Sequence, residues 1–333
     1  MKLKKNAIIK YSKLTEKGMI ILYNKIKKLI EDNHKIIILR HKDPDLDAYG
    51  SQFGLYYALK ANYPNKEIYA VGDSNTLNKF QPLDSVDSSL YQESLVFILD
   101  TVAKQMLEGN LYEQAKTLVL IDHHQNEPDI RYDEYLRDTN SSSCAEMIAS
   151  FLFDTHLEVS TSAATALYYG IVSDTGRFLY KSVSSRTFEM AGKLLDKGID
   201  IQSIYSSMYS EPLRMKRLKA IFFSTVEFTK NGVAYRKNDL EFLKDNDVDT
   251  YSVSRGMVNQ MSGIDEVSIW PNFTYEEKTG KILCELRSIT IPIVDIAKKY
   301  GGGGHLLACG CSVLSWEETD LIIKDLDDLL EGK

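Results

Sequence analysis

His41, Asp45 and Asp47 lie within one seven-residue stretch of the segment HKDPDLDAYGS, residues 41–51. Imidazole and carboxylate are the donors that hold borderline divalent cations. Two carboxylates this close repel each other when buried, and a cation removes the repulsion. Pro44 stiffens the loop, and Gly50-Ser51 lets a helix start close by. The same donor types return at Asp100, at Asp122-His123-His124, and at Asp174 in Ser173-Asp174-Thr175-Gly176. Asp45 and Asp47 are two apart, so in a turn they can point to different ions, and Asp100 can lie between the ions and bridge them. A histidine and aspartate set without cysteine suits manganese better than magnesium, with cobalt or zinc able to substitute in vitro.

Each piece has a plainer account. Asp47 is well placed to cap a helix, Asp100 could be a strand-end acid, and Asp122-His123-His124 could be a loop cluster. Asp174 could merely end a helix. What argues for chemistry is where the pieces fall. The apolar runs Ile36–Leu39, 95–99 (LVFIL) and 117–121 (TLVLI) are short and suit strands buried on both faces. Each delivers acids or imidazoles at its C-terminal end: Arg40-His41 after the first run, Asp100 after the second and Asp122-His123-His124 after the third. That edge is where open α/β sheets place their ligands.

The elements around these strands read as follows. Residues 15–33 have a helical period, with Thr15 able to cap. A helix is expected at 48–61 and a further strand at 67–71. Two helices are expected over 143–173 and helical structure over 184–208, with Gly198 marking a break. Strands alternating with helical segments predict a parallel α/β sheet. The amphipathic stretch 209–226 could link two domains. From about 227 the texture changes. FTKNGVAYR carries an Asn-Gly hairpin signal, and TYEEKTGKILCELRS resembles another hairpin. Gly301–Gly304 lies between a helix-like IPIVDIAKKY and the apolar LLACGCSVL, and 316–331 reads as an acidic amphipathic helix. Ser141-Ser142-Ser143 could bind an anion at a helix N-terminus or simply cap it.

Composition bounds the answer. The chain has 333 residues, enough for two domains, with 44% hydrophobic and 26% charged residues, a soluble folded balance. A formal net charge of -7 disfavours tracking along long duplex DNA, which rests on neutralising phosphates. It permits a small polyanion held by metals and a few basic groups in one cleft. No apolar run approaches a membrane span, and the basic N-terminus has no signal-peptide core, so a cytoplasmic protein with no membrane partner is expected. The four cysteines, Cys144, Cys284, Cys309 and Cys311, form no CxxC pair and read as buried reduced thiols. Cys309 and Cys311 should share a strand face.

HKDPDLDAYGS, the lone Asp100, Asp122-His123-His124 and Ser173-Asp174-Thr175-Gly176, in that order, resemble the four motifs of the DHH phosphoesterase superfamily. Arg287-Ser288 and Gly301-Gly302-Gly303-Gly304-His305 resemble its C-terminal substrate domain, DHHA1. The resemblance spans about 30 to 315 and is nearest to the nanoRNase and pAp-phosphatase subgroup. It implies a parallel-sheet DHH catalytic domain at 1–195, a helical linker at 196–222, and a smaller α/β DHHA1 domain with a mixed sheet at 223–333. It implies two divalent ions: one held by His41 and Asp45, the other by Asp47, His123 and Asp174, with Asp100 bridging. His124 would sit beside the scissile phosphate, with Asp122 orienting a histidine. Arg287, Ser288, Gly303, Gly304 and His305 would bind substrate from the second domain. Leu46 departs from the pattern, standing where the family commonly has glycine; a side chain is tolerated there if φ is negative.

The implied reaction is metal-assisted hydrolysis of a short oligonucleotide or a nucleotide bisphosphate, without a covalent intermediate. Two other readings compete. An inorganic pyrophosphatase shares the DHH domain but carries a different C-terminal domain, and Arg287 with GGGGH argues against it. A dinucleotide-binding regulator without turnover would be marked by lost metal ligands, yet every expected ligand is present. A homodimer is left open.

Overall fold

The computed structural model describes residues 16–331; Thr15 and the basic N-terminal segment lie outside the described residues. The chain divides into two compact units, with the break between Tyr209 and Ser210.

The first unit runs α1 (Glu16–Asp32), β1 (Lys35–Arg40), α2 (Leu46–Asn62), β2 (Glu67–Ala70), β3 (Leu95–Leu99), β4 (Thr117–Asp122), β5 (Glu134–Arg137), α3 (Cys144–Asp154), α4 (Thr161–Asp174), α5 (Ser185–Leu195) and α6 (Ile201–Tyr209). Its five strands form one sheet in the order β2-β1-β3-β4-β5, every neighbouring pair parallel. The expected parallel α/β sheet is therefore present. The apolar runs split by alternation. Ile36, Ile38, Phe97, Leu99, Val119 and Ile121 face a core shared with α2, α3 and α4. Ile37, Val96, Ile98, Leu118 and Leu120 face a smaller core closed by Tyr91 and Tyr112. That second face is covered by short 3₁₀ turns at 88–93, 104–106 and 111–114, not by full helices between β2, β3 and β4. The edge strand β5 was not anticipated. It pairs only with β4, and its polar ends are half-buried, so no apolar run announces it.

The strand order reverses direction between β1 and β3, and open α/β sheets place their ligands at the carboxyl ends of the strands at such a point. α2 and α4 pack closely above it. A Cβ on Gly50 would lie 2.5 Å from the Ala166 carbonyl oxygen, and one on Gly170 would lie 2.8 Å from Asp47 Oδ1. Both glycines are needed for that approach, so Gly50 serves the helix contact in the second turn of α2 and not the helix start.

The second unit runs α7 (Leu213–Ser224), β6 (Glu227–Phe228), β7 (Ala234–Asn238), α8 (Leu240–Asp245), α9 (Thr250–Met257), β8 (Ile269–Glu276), β9 (Lys281–Ser288), α10 (Val294–Lys299), β10 (Gly303–Gly304), β11 (Ala308–Val313) and α11 (Trp316–Asp328). Its six-stranded sheet has the order β10-β11-β9-β8-β7-β6 and is mixed. β7 and β8 are parallel and the other neighbours antiparallel. Both expected hairpins form, β6–β7 around Asn231-Gly232 and β8–β9 around Thr279-Gly280. α8 and α9 went unread because they are too short to show a period; their N-caps, Asp239 and Asp249, are the only local signal. The stretch 196–222 is shared between the units: Ile204 of α6 joins the first core, while Leu218 and Phe222 of α7 join a core of the second. All four cysteines are free thiols, and Cys309 and Cys311 alternate on β11. Among the described residues no helix is long and apolar enough to cross a membrane.

Candidate active site

The carboxyl ends of β1, β3 and β4 bring His41, Asp100 and the Asp122-His123-His124 run to one edge. The N-terminus of α2 adds Asp45 and Asp47, and the last residue of α4 adds Asp174. Asp45, not Asp47, caps α2: its Oδ1 accepts from the N–H groups of Asp47 and Ala48, both at 2.9 Å. Leu46 is the first helical residue and has no positive φ, so a side chain there leaves the loop intact. Asp47 is fully buried and faces the N-terminus of α3, accepting from Cys144 N at 2.7 Å and Ala145 N at 2.9 Å. The anion at that helix end is thus the protein's own carboxylate. Ser143 supplies the ordinary cap by accepting from Glu146 N.

Two groups of donors converge on Asp100. His41 Nε2 lies 3.5 Å from Asp100 Oδ2 and 3.9 Å from Asp45 Oδ1. His123 Nε2 lies 3.5 Å from Asp100 Oδ1, 3.4 Å from Asp174 Oδ2 and 3.8 Å from Asp47 Oδ2. The two carboxylate oxygens of Asp100 therefore face different donor groups, an arrangement that would allow one carboxylate to reach two cations. Asp100 takes φ +61°, a left-handed conformation that costs energy outside glycine and collects at functional sites.

These separations are long for hydrogen bonds. They are close to the roughly 3–3.5 Å expected between donor atoms that share a cation at bond lengths of about 2.1 Å. Asp100 Oδ1 is buried and has no hydrogen-bond partner, an orphan that a cation would satisfy. The histidines are set up for the same task. His41 Nδ1 is 2.8 Å from the Lys42 carbonyl and His123 Nδ1 is 3.4 Å from that of Ser141. A proton held on Nδ1 by those contacts leaves Nε2 free as a ligand.

The electrostatics show the same deficit of positive charge. Burial, followed by the charges of Asp100 and Asp174, pushes Asp47 well above the usual carboxylate range. Burial and then Asp100 push Asp174 up to about 6. Burial works against charging the histidines, yet the contact with Asp100 and the neighbouring carboxylates raise His41 to about 9 and His123 to about 10. Asp100 is also penalised by burial, but the two imidazoles hold it below its ordinary value. Without a cation the cluster is neutralised by protons; a divalent ion supplies that charge and displaces them. The residues fit divalent metal binding.

His124 lies at the margin of the cluster: its Nδ1 is 3.8 Å from Asp100 Oδ1, and it groups with Asp100 and His123 as possible cation donors. Its Nδ1 is 2.8 Å from Asp122 Oδ1, and Asp122 is fully buried. Asp122 thus orients His124 and not His123. That hydrogen bond is the first cause that raises the His124 imidazole above its ordinary value. Half of the His124 side chain is exposed.

In the second unit, Arg287, Gly301–Gly304 and His305 line one cavity of about 740 Å³. Ser288 is not among its lining residues: it is buried, and its hydroxyl accepts from Ile291 N at 2.9 Å. The glycine run is partly strand. A Cβ on Gly302 would lie 2.1 Å from the Gly310 carbonyl oxygen, and one on Gly304 would lie 2.8 Å from Cys309 Cα, whereas Gly303 faces open space. Gly302 and Gly304 therefore serve the close approach to β11.

Sequence reasoning missed the support behind the first motif. Arg40 is buried, donates to Asp73 Oδ1 at 3.1 Å and to the His41 carbonyl at 3.0 Å, and lies over the Tyr49 ring. Asp73 also accepts from Asp43 N at 3.2 Å, and Asn75 Nδ2 donates to the Pro44 carbonyl at 2.8 Å. The available signal was the polar Gly72-Asp73-Ser74-Asn75 run directly after the β2 segment.

Comparison with known proteins agrees with this arrangement. Residues 35–171 match the model of the DHH family, N-terminal domain, and 233–332 match the DHHA1 domain. The chain is 36% identical over 305 residues to the bifunctional oligoribonuclease and PAP phosphatase NrnA of Bacillus subtilis, covering 88% of this chain and 94% of that protein. It is 31% identical to the NrnA of Mycoplasma pneumoniae, over 89% and 93% of the two chains. Among solved structures, an exopolyphosphatase-related protein from Bacteroides fragilis superposes with a TM-score of 0.76 at 25% identity, over 96% of this chain and all of that one.

Proposed function

This chain belongs to the DHH family of phosphoesterases, and we propose that it hydrolyses oligoribonucleotides of a few residues, 3′-phosphoadenosine 5′-phosphate, or both. The observation that carries the reading is Asp100, whose oxygens face two separate donor groups while one of them lacks a hydrogen-bond partner. The relatives named for these two activities match over nearly their full length.

His41 and Asp45 would hold one divalent ion, and Asp47, His123 and Asp174 the other, with Asp100 reaching both; the donor set favours manganese. Bound cations would lower the cost of deprotonating water and offset charge growing on the phosphoryl oxygens. The protein's own groups do the rest. Asp122 fixes the His124 ring so that Nε2 is the free nitrogen, and a proton held there can pass to the leaving oxygen. Arg287 and His305 line the cavity that takes a phosphate in the second unit. The four free thiols suit a reducing compartment, and we place the protein in the cytoplasm.

The test is product chromatography with manganese on pApA, an RNA pentamer, adenosine 3′,5′-bisphosphate, cyclic di-AMP and pyrophosphate, run beside Asp100→Ala. Release of mononucleotide or phosphate from the short substrates, lost in the variant, is expected. Turnover of pyrophosphate alone would overturn the reading, and binding of dinucleotide without product would favour a regulator.

A further inference from the structure

The cavity in the second unit has a wall that the phosphate reading leaves unused. Besides the glycine run it is lined by Tyr251, Ser254 and Arg255 of α9. Tyr251 is 63% exposed and belongs to neither hydrophobic core of this unit, so folding gives no reason for a large ring there. Other exposed aromatic residues, such as Tyr180, Phe188 and Phe228, lie elsewhere. Apart from His305, Tyr251 is the one aromatic residue among those lining this cavity.

The ring is also held in place. Arg255 lies over one face, 5.3 Å from the ring centroid, and its Nη1 donates to the Tyr251 hydroxyl at 3.2 Å. Arg255 Nε donates to Glu285 Oε1 at 3.1 Å, and Arg287 Nη2 donates to Glu285 Oε2 at 3.1 Å. A continuous chain, Tyr251–Arg255–Glu285–Arg287, thus joins an open aromatic surface to the guanidinium beside the glycine run. Glu285 sets the direction of both arginines and cancels one of their two charges, so this wall keeps a single net positive charge. A flat apolar surface, one net cation and a cavity of about 740 Å³ are the complement of a nucleoside phosphate.

We propose that Tyr251, backed by Arg255, is the nucleobase platform of this cavity, with Glu285 as the positioning residue that couples it to Arg287. The assignment rests on the nucleotide reading above and adds which group meets the base. Stacking on an aromatic ring is tolerant of base identity because every base has a π-face, so the platform accepts any nucleobase.

Binding is measured by calorimetry in a chelator, where nothing is hydrolysed, with adenosine 3′,5′-bisphosphate and its abasic analogue as probes. Wild type should prefer the base-containing ligand by roughly 5- to 150-fold, the range of a base–aromatic stack. Tyr251→Ala should erase that preference while leaving the abasic affinity in place, and Tyr251→Phe should restore it. In manganese, Tyr251→Ala should raise KM for nucleotides with kcat little changed. A wild-type preference that survives in Tyr251→Ala, or no preference in wild type, overturns the proposal. Turnover on the same samples separates the two claims. If the base preference vanishes in the variant but no substrate is cleaved by wild type, the platform stands and the hydrolytic reading falls.

Discussion

The charged cluster of the first unit and the cavity of the second both gather ionisable side chains, yet they are balanced differently. In the first, four aspartates and three histidines crowd together, and Asp100 keeps a buried oxygen without a hydrogen bond. In the second, Glu285 already pairs both arginines, and the glycine run, His305 and the exposed Tyr251 ring share the lining. One site holds a buried carboxylate oxygen that a cation would satisfy; the other already has its acid paired and keeps one net positive charge. Changes in the first should therefore act on chemistry and on metal-linked stability, and changes in the second on affinity.

The sharpest break is Asp100→Asn. It keeps the shape but removes the charge both histidines face, and should cut kcat by about 10³-fold or more, equivalent to several kcal/mol of lost charge stabilisation. An unchanged rate in a manganese-loaded sample would mean the convergence on Asp100 is incidental. His124→Gln comes next. Loss of the proton carried opposite Asp122 should lower kcat by roughly 10²-fold, flatten the alkaline limb of the pH–rate profile, and leave manganese affinity by calorimetry unaltered. Arg287→Ala should do the converse, raising KM by about 10-fold or more through loss of a charged hydrogen bond, with kcat nearly kept. If kcat falls as far as it does in Asp100→Asn, the division of labour between the units is wrong.

The smallest effect concerns stability against pH. His41 is raised to about 9 and His123 to about 10 from an ordinary 6.5, so the folded, chelated protein binds protons that the unfolded chain has released. Their contribution is complete below about pH 6.5 and is lost as pH rises through 9–10. Asp174, raised to about 6, adds the same sign of change between about pH 4 and 6. Asp100, depressed by the same histidines, stays ionised throughout the upper window. The melting temperature of chelated protein should fall between pH 6.5 and 9 by a few degrees more than that of manganese-loaded protein. Manganese affinity should rise over the same interval, because binding releases those protons. Parallel melting curves with and without metal would show that protons are not standing in for a cation.

The charges that follow the runs 36–39, 95–99 and 117–121 were legible because a charge at the end of a buried strand needs a partner, and three such ends recurred. The Asn231-Gly232 hairpin was legible because its signal is local. Short elements such as β5, α8 and α9 were not, since four to eight residues show too little periodicity.

Residue types and order alone thus pointed to the parallel sheet, to the sheet edge and to the acids and imidazoles that gather there, because each is signalled by residues adjacent in the chain. Tertiary structure decided what depends on distance between remote segments. Asp47 sits on the N-terminus of α3, 97 and 98 residues away. Arg40 is anchored by Asp73, 33 residues on, and Arg255 by Glu285, 30 residues on. Ser288, adjacent to Arg287 in the chain, turns inward to its own loop because successive residues of a strand point to opposite faces. Electrostatic energy falls with separation in space and not along the chain, so the partner of each charge became readable only once the sheet had brought them together.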